Sequence, residues 1–104
     1  MRTFGLLGYP LTHSFSKQYF SDKFQQENIP DAEYLNFSFP DVEEMREKAA
    51  ELPSLKGFNI TIPHKKNILP FLDEQSPAVA AIGACNCVLV KAGKWMGYNT
   101  DVEG

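Results

Sequence analysis

Apolar residues recur along this chain with two periods, about two and about 3.6, and the period switches wherever glycine or proline intervenes. Thr3 to Gly8 is a short apolar run that predicts a buried strand, and Gly8-Tyr9-Pro10 breaks it into a loop ending at His13 or Ser14. Phe15, Tyr19, Phe20 and Phe24 then share one helical face, with Ser14 as N-cap and Asn28 and Pro30 as the stop. Ala32 to Phe39 alternates Leu35, Phe37 and Phe39 against Tyr34, Asn36 and Ser38, the period of a strand. Asp41 and Glu44 form a D-x-x-E capping signal before the helical spacing of Val42, Met45, Ala49 and Leu52, which Pro53 ends. Gly57 to Ile62 alternates again, with Phe58, Ile60 and Ile62 on one side, and Pro63 closes it. Pro70 divides Lys65 to Leu72 into short helical turns, while Ser76-Pro77 opens a helix that stops near Gly83. Cys85 to Lys91 and Lys94 to Thr100 read as strands joined by the two-residue Ala92-Gly93 turn, and the tail from Asp101 reads as the first turn of another helix. This order predicts an α/β fold: a three-layer sandwich with a mostly parallel, mixed sheet, one antiparallel hairpin and helices on both faces.

Composition narrows the partners. A chain of 104 residues with 43% hydrophobic content can bury one core, so residues 1–104 are expected to form a single domain. The net charge of -3, with ten Lys and Arg spread along the chain, argues against a nucleic-acid or membrane-surface partner. The apolar N-terminus is broken by Gly5, Gly8 and Pro10, too soon for a signal core or a bilayer span, which makes the cytoplasm the expected compartment. Cys85 and Cys87 are spaced to share one face of a strand, which disfavours a mutual disulfide and suits two thiols packed as small hydrophobes. His13 and His64 show no metal-ligand spacing, so no metal site is expected and both histidines are assigned structural or exposed places.

Ligands of open α/β sheets bind beyond the carboxyl ends of the parallel strands. Ser14 and Ser16 follow the first strand, at a helix start whose free N–H groups favour an anion; Lys65 follows the Gly57 to Ile62 strand, and Asp101 follows the last. With a two-residue turn Lys91 opposes Lys94, and counting outward sets Asn86 opposite Asn99. Two hydroxyls, a lysine, an aspartate and an asparagine therefore converge on one rim, suited to a small polyhydroxylated acid. Taken singly, each has a plainer reading. Ser14 and Asp101 are helix caps, Lys65 is a solvated lysine, Thr61 is an ordinary strand residue, and Asn86 and Asn99 satisfy strand-end backbone groups.

Four segments, Gly8-Tyr-Pro-Leu-Thr-His-Ser-Phe-Ser16, Asn59-Ile-Thr-Ile-Pro-His-Lys65, Gly83-Ala-Cys-Asn-Cys87 and Gly97-Tyr-Asn-Thr-Asp101, resemble in order the signatures of the shikimate dehydrogenase substrate domain. The resemblance implies that Ser14 and Ser16 bind the shikimate carboxylate, that Thr61, Asn86 and Asp101 hold ring hydroxyls, and that Lys65 and Asp101 flank the hydroxyl that is oxidised. Lys65 is then the principal acid/base and Asp101 its orienting partner. It implies an enzyme that reduces 3-dehydroshikimate to shikimate with NADPH, on the route to chorismate and the aromatic amino acids. The chain departs from the family pattern at Lys17, Tyr19, Phe20, Pro77 and Cys87, positions that shape packing or the cofactor side more than the reacting groups. None of the seven glycines forms a G-x-G-x-x-G, so a C-terminal nucleotide-binding domain is implied as the NADP(H) partner, and hydride transfer by these residues alone is not expected. A quinate/shikimate dehydrogenase domain and a non-catalytic hydroxy-acid binding module are the alternatives.

Overall fold

Extended segments form where the apolar run or alternation falls, and they assemble into one sheet. The computed structural model describes residues 2–11, 15–28 and 31–100, with the backbone alone for 15–18. Its strands are β1 (Arg2–Gly8), β2 (Ala32–Ser38), β3 (Leu55–Ile60), β4 (Glu74–Gln75), β5 (Cys87–Lys91) and β6 (Lys94–Tyr98). Their order across the sheet is β2-β1-β3-β5-β6-β4. β1 pairs in parallel with β2 and β3, β4 pairs in parallel with β6, and β5 alone runs against its two neighbours.

The alternation within each strand sorts side chains to two faces. Leu7, Phe37, Phe58, Ile60, Val88 and Trp95 point to one face, where Val42 and Met45 of α2 (Val42–Ala50) and Val79 of α4 (Pro77–Ile82) complete the buried core. Phe58 and Trp95 meet there edge to face, 5.2 Å between centroids. The other face carries α1 (Phe15–Gln26), whose Phe20 stacks on Tyr34 at 4.6 Å and whose Phe24 packs on Phe4 at 6.2 Å. Helices thus cover both faces, as the pattern predicts.

Local signals match at the turns. Ser76 accepts a hydrogen bond from the Val79 N–H and caps α4, which Gly83 ends in the left-handed region at φ 76°. Ala92 and Gly93, at φ 52° and 77°, make the two-residue turn that sets Lys91 opposite Lys94. Asn28, at φ 54°, stops α1. Pro70 falls in a 3₁₀ turn (Leu69–Phe71) that follows the four-residue α3 (His64–Asn67).

Six details differ from the expectations. β3 begins at Leu55 and ends at Ile60, so Ile62 does not join Phe58 and Ile60; it stands in a turn, 75% exposed. The hairpin ladder ends at Cys87 and Tyr98, leaving Cys85, Asn86, Asn99 and Thr100 beyond it. Cys85 therefore precedes the strand and lies buried in the core, while Cys87 faces the α1 side half-buried; they do not share a face, and neither is in a disulfide. Tyr19 is 59% exposed, because Phe20 and Phe24 take the half-buried positions of α1 that face the sheet. Asp41 sits at the start of α2 without a side-chain cap bond. The two-residue β4 has no alternation long enough to read from sequence.

Candidate functional site

The carboxyl ends of β1, β2, β3 and β6 share one edge of the sheet, and backbone hydrogen bonds lace the loops leaving it. From β3 the Thr61 N–H donates to the Leu7 carbonyl at 2.9 Å, and the Tyr9 N–H donates back to the Ile62 carbonyl at 3.1 Å. The Phe39 N–H, just past β2, donates to the Gly8 carbonyl at 3.1 Å. Gly8 permits this approach because a Cβ there would lie 2.5 Å from Thr61 Cγ2.

Lys65 is the second residue of α3 and is exposed. Its carbonyl accepts the Cys85 N–H at 2.8 Å, which ties α3 to the segment entering β5. The next residue, Asn86, is held three ways. Its N–H donates to the Tyr98 carbonyl at 3.1 Å, its carbonyl accepts the Ile60 N–H at 2.8 Å, and its Oδ1 accepts the Thr100 N–H at 2.9 Å. The consecutive residues Cys85 and Asn86 therefore bind Lys65 on one side and the immediate neighbour of Asp101 on the other.

Thr61, Lys65 and Asn86 are thus brought to one rim, with Thr61 and Asn86 half-buried. Ser16 lies in the first turn of α1. Ser14 and Asp101 fall outside the described residues, as does His13. Thr100 takes one lone pair of the Asn86 amide oxygen, which leaves the NH2 group and the second lone pair for a ligand hydroxyl. Asn99 is buried and its Nδ2 donates to the Ala84 carbonyl at 3.2 Å, so the strand-end role read for it from sequence describes it correctly.

His64 takes the structural of the two places read for it from sequence, but its partner was not legible there. It is 1% exposed, and its Nε2 lies 2.7 Å from the Phe39 carbonyl oxygen, joining the loop after β2 to the helix that carries Lys65. A side chain bonded to a backbone carbonyl leaves no spacing to read, and only the motif position next to Lys65 hinted at it.

An apolar cavity lies elsewhere. A groove of ≈ 310 Å³ on the α1 face is lined by Phe4, Phe20, Tyr34, Asn59, Cys87 and Leu89, walls too apolar for a polyhydroxylated acid. Burial there pushes the Cys87 thiol pKa up, with the nearby Cys85 adding to the shift. Among the described residues no cluster of His, Cys, Asp or Glu could hold a metal, and no helix is long and apolar enough to cross a membrane.

A single-core α/β domain with a lysine, a threonine and an asparagine gathered at the carboxyl rim of its sheet falls in the class of open α/β sheets, whose ligands commonly bind beyond the strand ends. Residues 6–88 match the shikimate dehydrogenase substrate binding domain, and the chain belongs to that family. The shikimate dehydrogenase (NADP(+)) of Staphylococcus epidermidis is 40% identical over 102 residues, 97% of this chain and 38% of that protein. The Thermus thermophilus shikimate 5-dehydrogenase, solved with NADP(H) and shikimate, superposes with a TM-score of 0.85 at 32% identity, over 99% of this chain and 39% of that one. The quinate dehydrogenase of Corynebacterium glutamicum, solved with NAD, gives 0.84 at 30% identity, over 99% and 39%. The chain spans little more than a third of the length of these relatives.

Proposed function

We propose that this chain binds shikimate and 3-dehydroshikimate and serves as the substrate half of an NADP-dependent shikimate dehydrogenase. One observation carries the reading: Lys65 and Thr100, 35 positions apart in sequence by the numbers 100 and 65, are anchored to the adjacent residues Cys85 and Asn86. Thr100, the residue before Asp101, and the Lys65 backbone are thereby tied to one short segment.

In this reading Ser14 and Ser16 meet the substrate carboxylate at the start of α1, while Thr61, Asn86 and Asp101 hold ring hydroxyls. Oxidising an alcohol requires its proton to leave as hydride departs, and the reverse requires a donor at the ketone oxygen. Lys65 performs that proton transfer and Asp101 orients it. NADP(H) supplies or accepts the hydride; its pyrophosphate finds no glycine-rich cradle in these 104 residues, so its binding is assigned to a C-terminal nucleotide-binding domain of a longer protein. The domain alone is then inactive. A cytoplasmic place, reduction as the biosynthetic direction and a role in aromatic amino acid formation go with the same reading.

The test is a chimera in which the chain replaces the aligned stretch of the Staphylococcus epidermidis relative. With shikimate and NADP it should turn over, and Lys65→Ala and Asp101→Asn should each lower kcat by a factor on the order of 100 while the protein stays folded. Unchanged turnover in both variants would remove the assigned roles. The likeness to a quinate dehydrogenase favours one second reading, a domain that takes quinate. A kcat/KM for quinate above that for shikimate in the same chimera would establish it.

A further inference from the structure

His64 and Lys65 are consecutive but have opposite surroundings: the imidazole is 1% exposed, while the lysine faces solvent. The bonds around the ring fix its proton. A carbonyl can only accept, so Nε2 carries the hydrogen that bonds the Phe39 oxygen at 2.7 Å. Asn67 Nδ2 lies 3.0 Å from the Pro63 carbonyl, which identifies it as the amide donor, and it also faces His64 Nδ1 at 3.5 Å. Nδ1 is then the nitrogen placed to accept from Asn67.

α3 has four residues, too few to hold its own geometry. Its placement comes from outside bonds, and two of them bracket Lys65. The His64 ring ties its start to Phe39, whose N–H is bonded to Gly8 at the end of β1, and the Lys65 carbonyl is bonded to Cys85. We propose that His64 is a positioning residue for the proton transfer at Lys65, holding α3 against the β2 end so that the ammonium meets the reacting hydroxyl. This rests on the shikimate dehydrogenase reading given above. His64 itself exchanges no proton with substrate, since both nitrogens are occupied in the interior.

The test uses the active chimera with His64→Leu, which fills the site but removes the donor, and His64→Gln, which restores a donor at similar reach. His64→Leu should lower kcat by roughly tenfold to a hundredfold, the effect of displacing a reacting group by about an ångström, with KM changed less than about twofold. His64→Gln should recover most of the loss. In the 104-residue chain, the ¹⁵N spectrum of His64 should place the proton of the neutral ring on Nε2 and not on Nδ1. Wild-type kcat in folded His64→Leu, no recovery with Gln, or a neutral ring with its proton on Nδ1 would each overturn the role. If His64→Leu fails to fold, Asn67→Ala replaces it: this exposed residue loosens the ring from the Nδ1 side, and kcat should fall with KM held, an unchanged kcat overturning the role. A folded wild-type chimera without shikimate oxidation sinks the underlying reading and this role with it, whereas an active wild type with an unaffected Leu variant sinks the His64 role alone.

Discussion

Adding one methyl group at Gly8 tests the geometry of the rim through stability alone. A Cβ at this position would stand 2.5 Å from Thr61 Cγ2, 3.0 Å from Leu11 Cδ2 and 3.1 Å from the Ile62 carbonyl oxygen. Carbon atoms prefer about 3.5–4.0 Å, so the first contact overlaps by about an ångström. Leu11 can yield at the far end of its side chain. Thr61 cannot yield so easily, because a β-branched side chain is stiff at χ1 and its N–H is bonded to Leu7. Gly8→Ala should therefore cost about 1–3 kcal/mol, the usual range for overpacking, out of a total of about 5–15 kcal/mol for a domain of this size. Thr61→Ser removes the clashing methyl and keeps the hydroxyl. If Thr61 Cγ2 is the obstacle, the double variant should recover at least half of the loss, with a coupling of about 0.5–2 kcal/mol in a double-mutant cycle. Urea unfolding at pH 7 followed by circular dichroism measures all four proteins. A Gly8→Ala chain as stable as wild type, or a cost that Thr61→Ser leaves untouched, would refute the close approach of β1 to Thr61.

Two further outcomes follow from the same rim and from the groove beside it. Asn86→Ala removes the acceptor of the exposed Thr100 N–H, so stability should fall by less than about 1 kcal/mol while the Thr100 amide resonance moves and shikimate titration shifts weaken; unchanged resonances would contradict the anchor. Burial raises the Cys87 pKa, which favours its thiol form in the fold. The linked stability is present below the unfolded thiol's pKa and is lost as pH climbs through the folded value. Iodoacetamide should accordingly modify Cys87 more slowly in the native chain than in urea at the same pH, and a faster native reaction would contradict the burial.

What was legible in the sequence is what local chemistry decides. Ser76-Pro77 before an apolar run and Gly83 after it specify a helix with both caps, and the fold has no reason to override them. Two residues between Lys91 and Lys94 fix the hairpin register, and the register alone carried Asn86 to the end of β6. Of the residues that the family signatures named, Thr61, Lys65 and Asn86 come to one rim, while Ser14 and Asp101 lie outside the described residues. What was hidden depends on contacts between distant segments. Ile62 continues the alternation of β3, yet the chain turns at Thr61, whose N–H makes the last bond to β1. Cys85 and Cys87 obey strand spacing only if both are in the strand, and the ladder ends between them. β4 exists because β6 offers an edge to pair with; its own two residues, Glu74 and Gln75, have no strand character.

Those misplacements share a cause that bears on the site itself. A ladder consumes backbone donors and acceptors along its length and leaves side chains alternating between two faces. Where it stops, backbone groups need other partners, and polar side chains at the rim supply them: Asn86 to Thr100, Asn99 to Ala84, His64 to Phe39. Each such bond fixes a loop that carries, or adjoins, a residue assigned to the substrate. The side chains that satisfy the ends of the strands are therefore the ones that set the spacing of Thr61, Lys65 and the segment leading to Asp101. The strand-end readings of these residues do not compete with the proposed binding role, because a rim has to be rigid before its remaining donors can select a ligand.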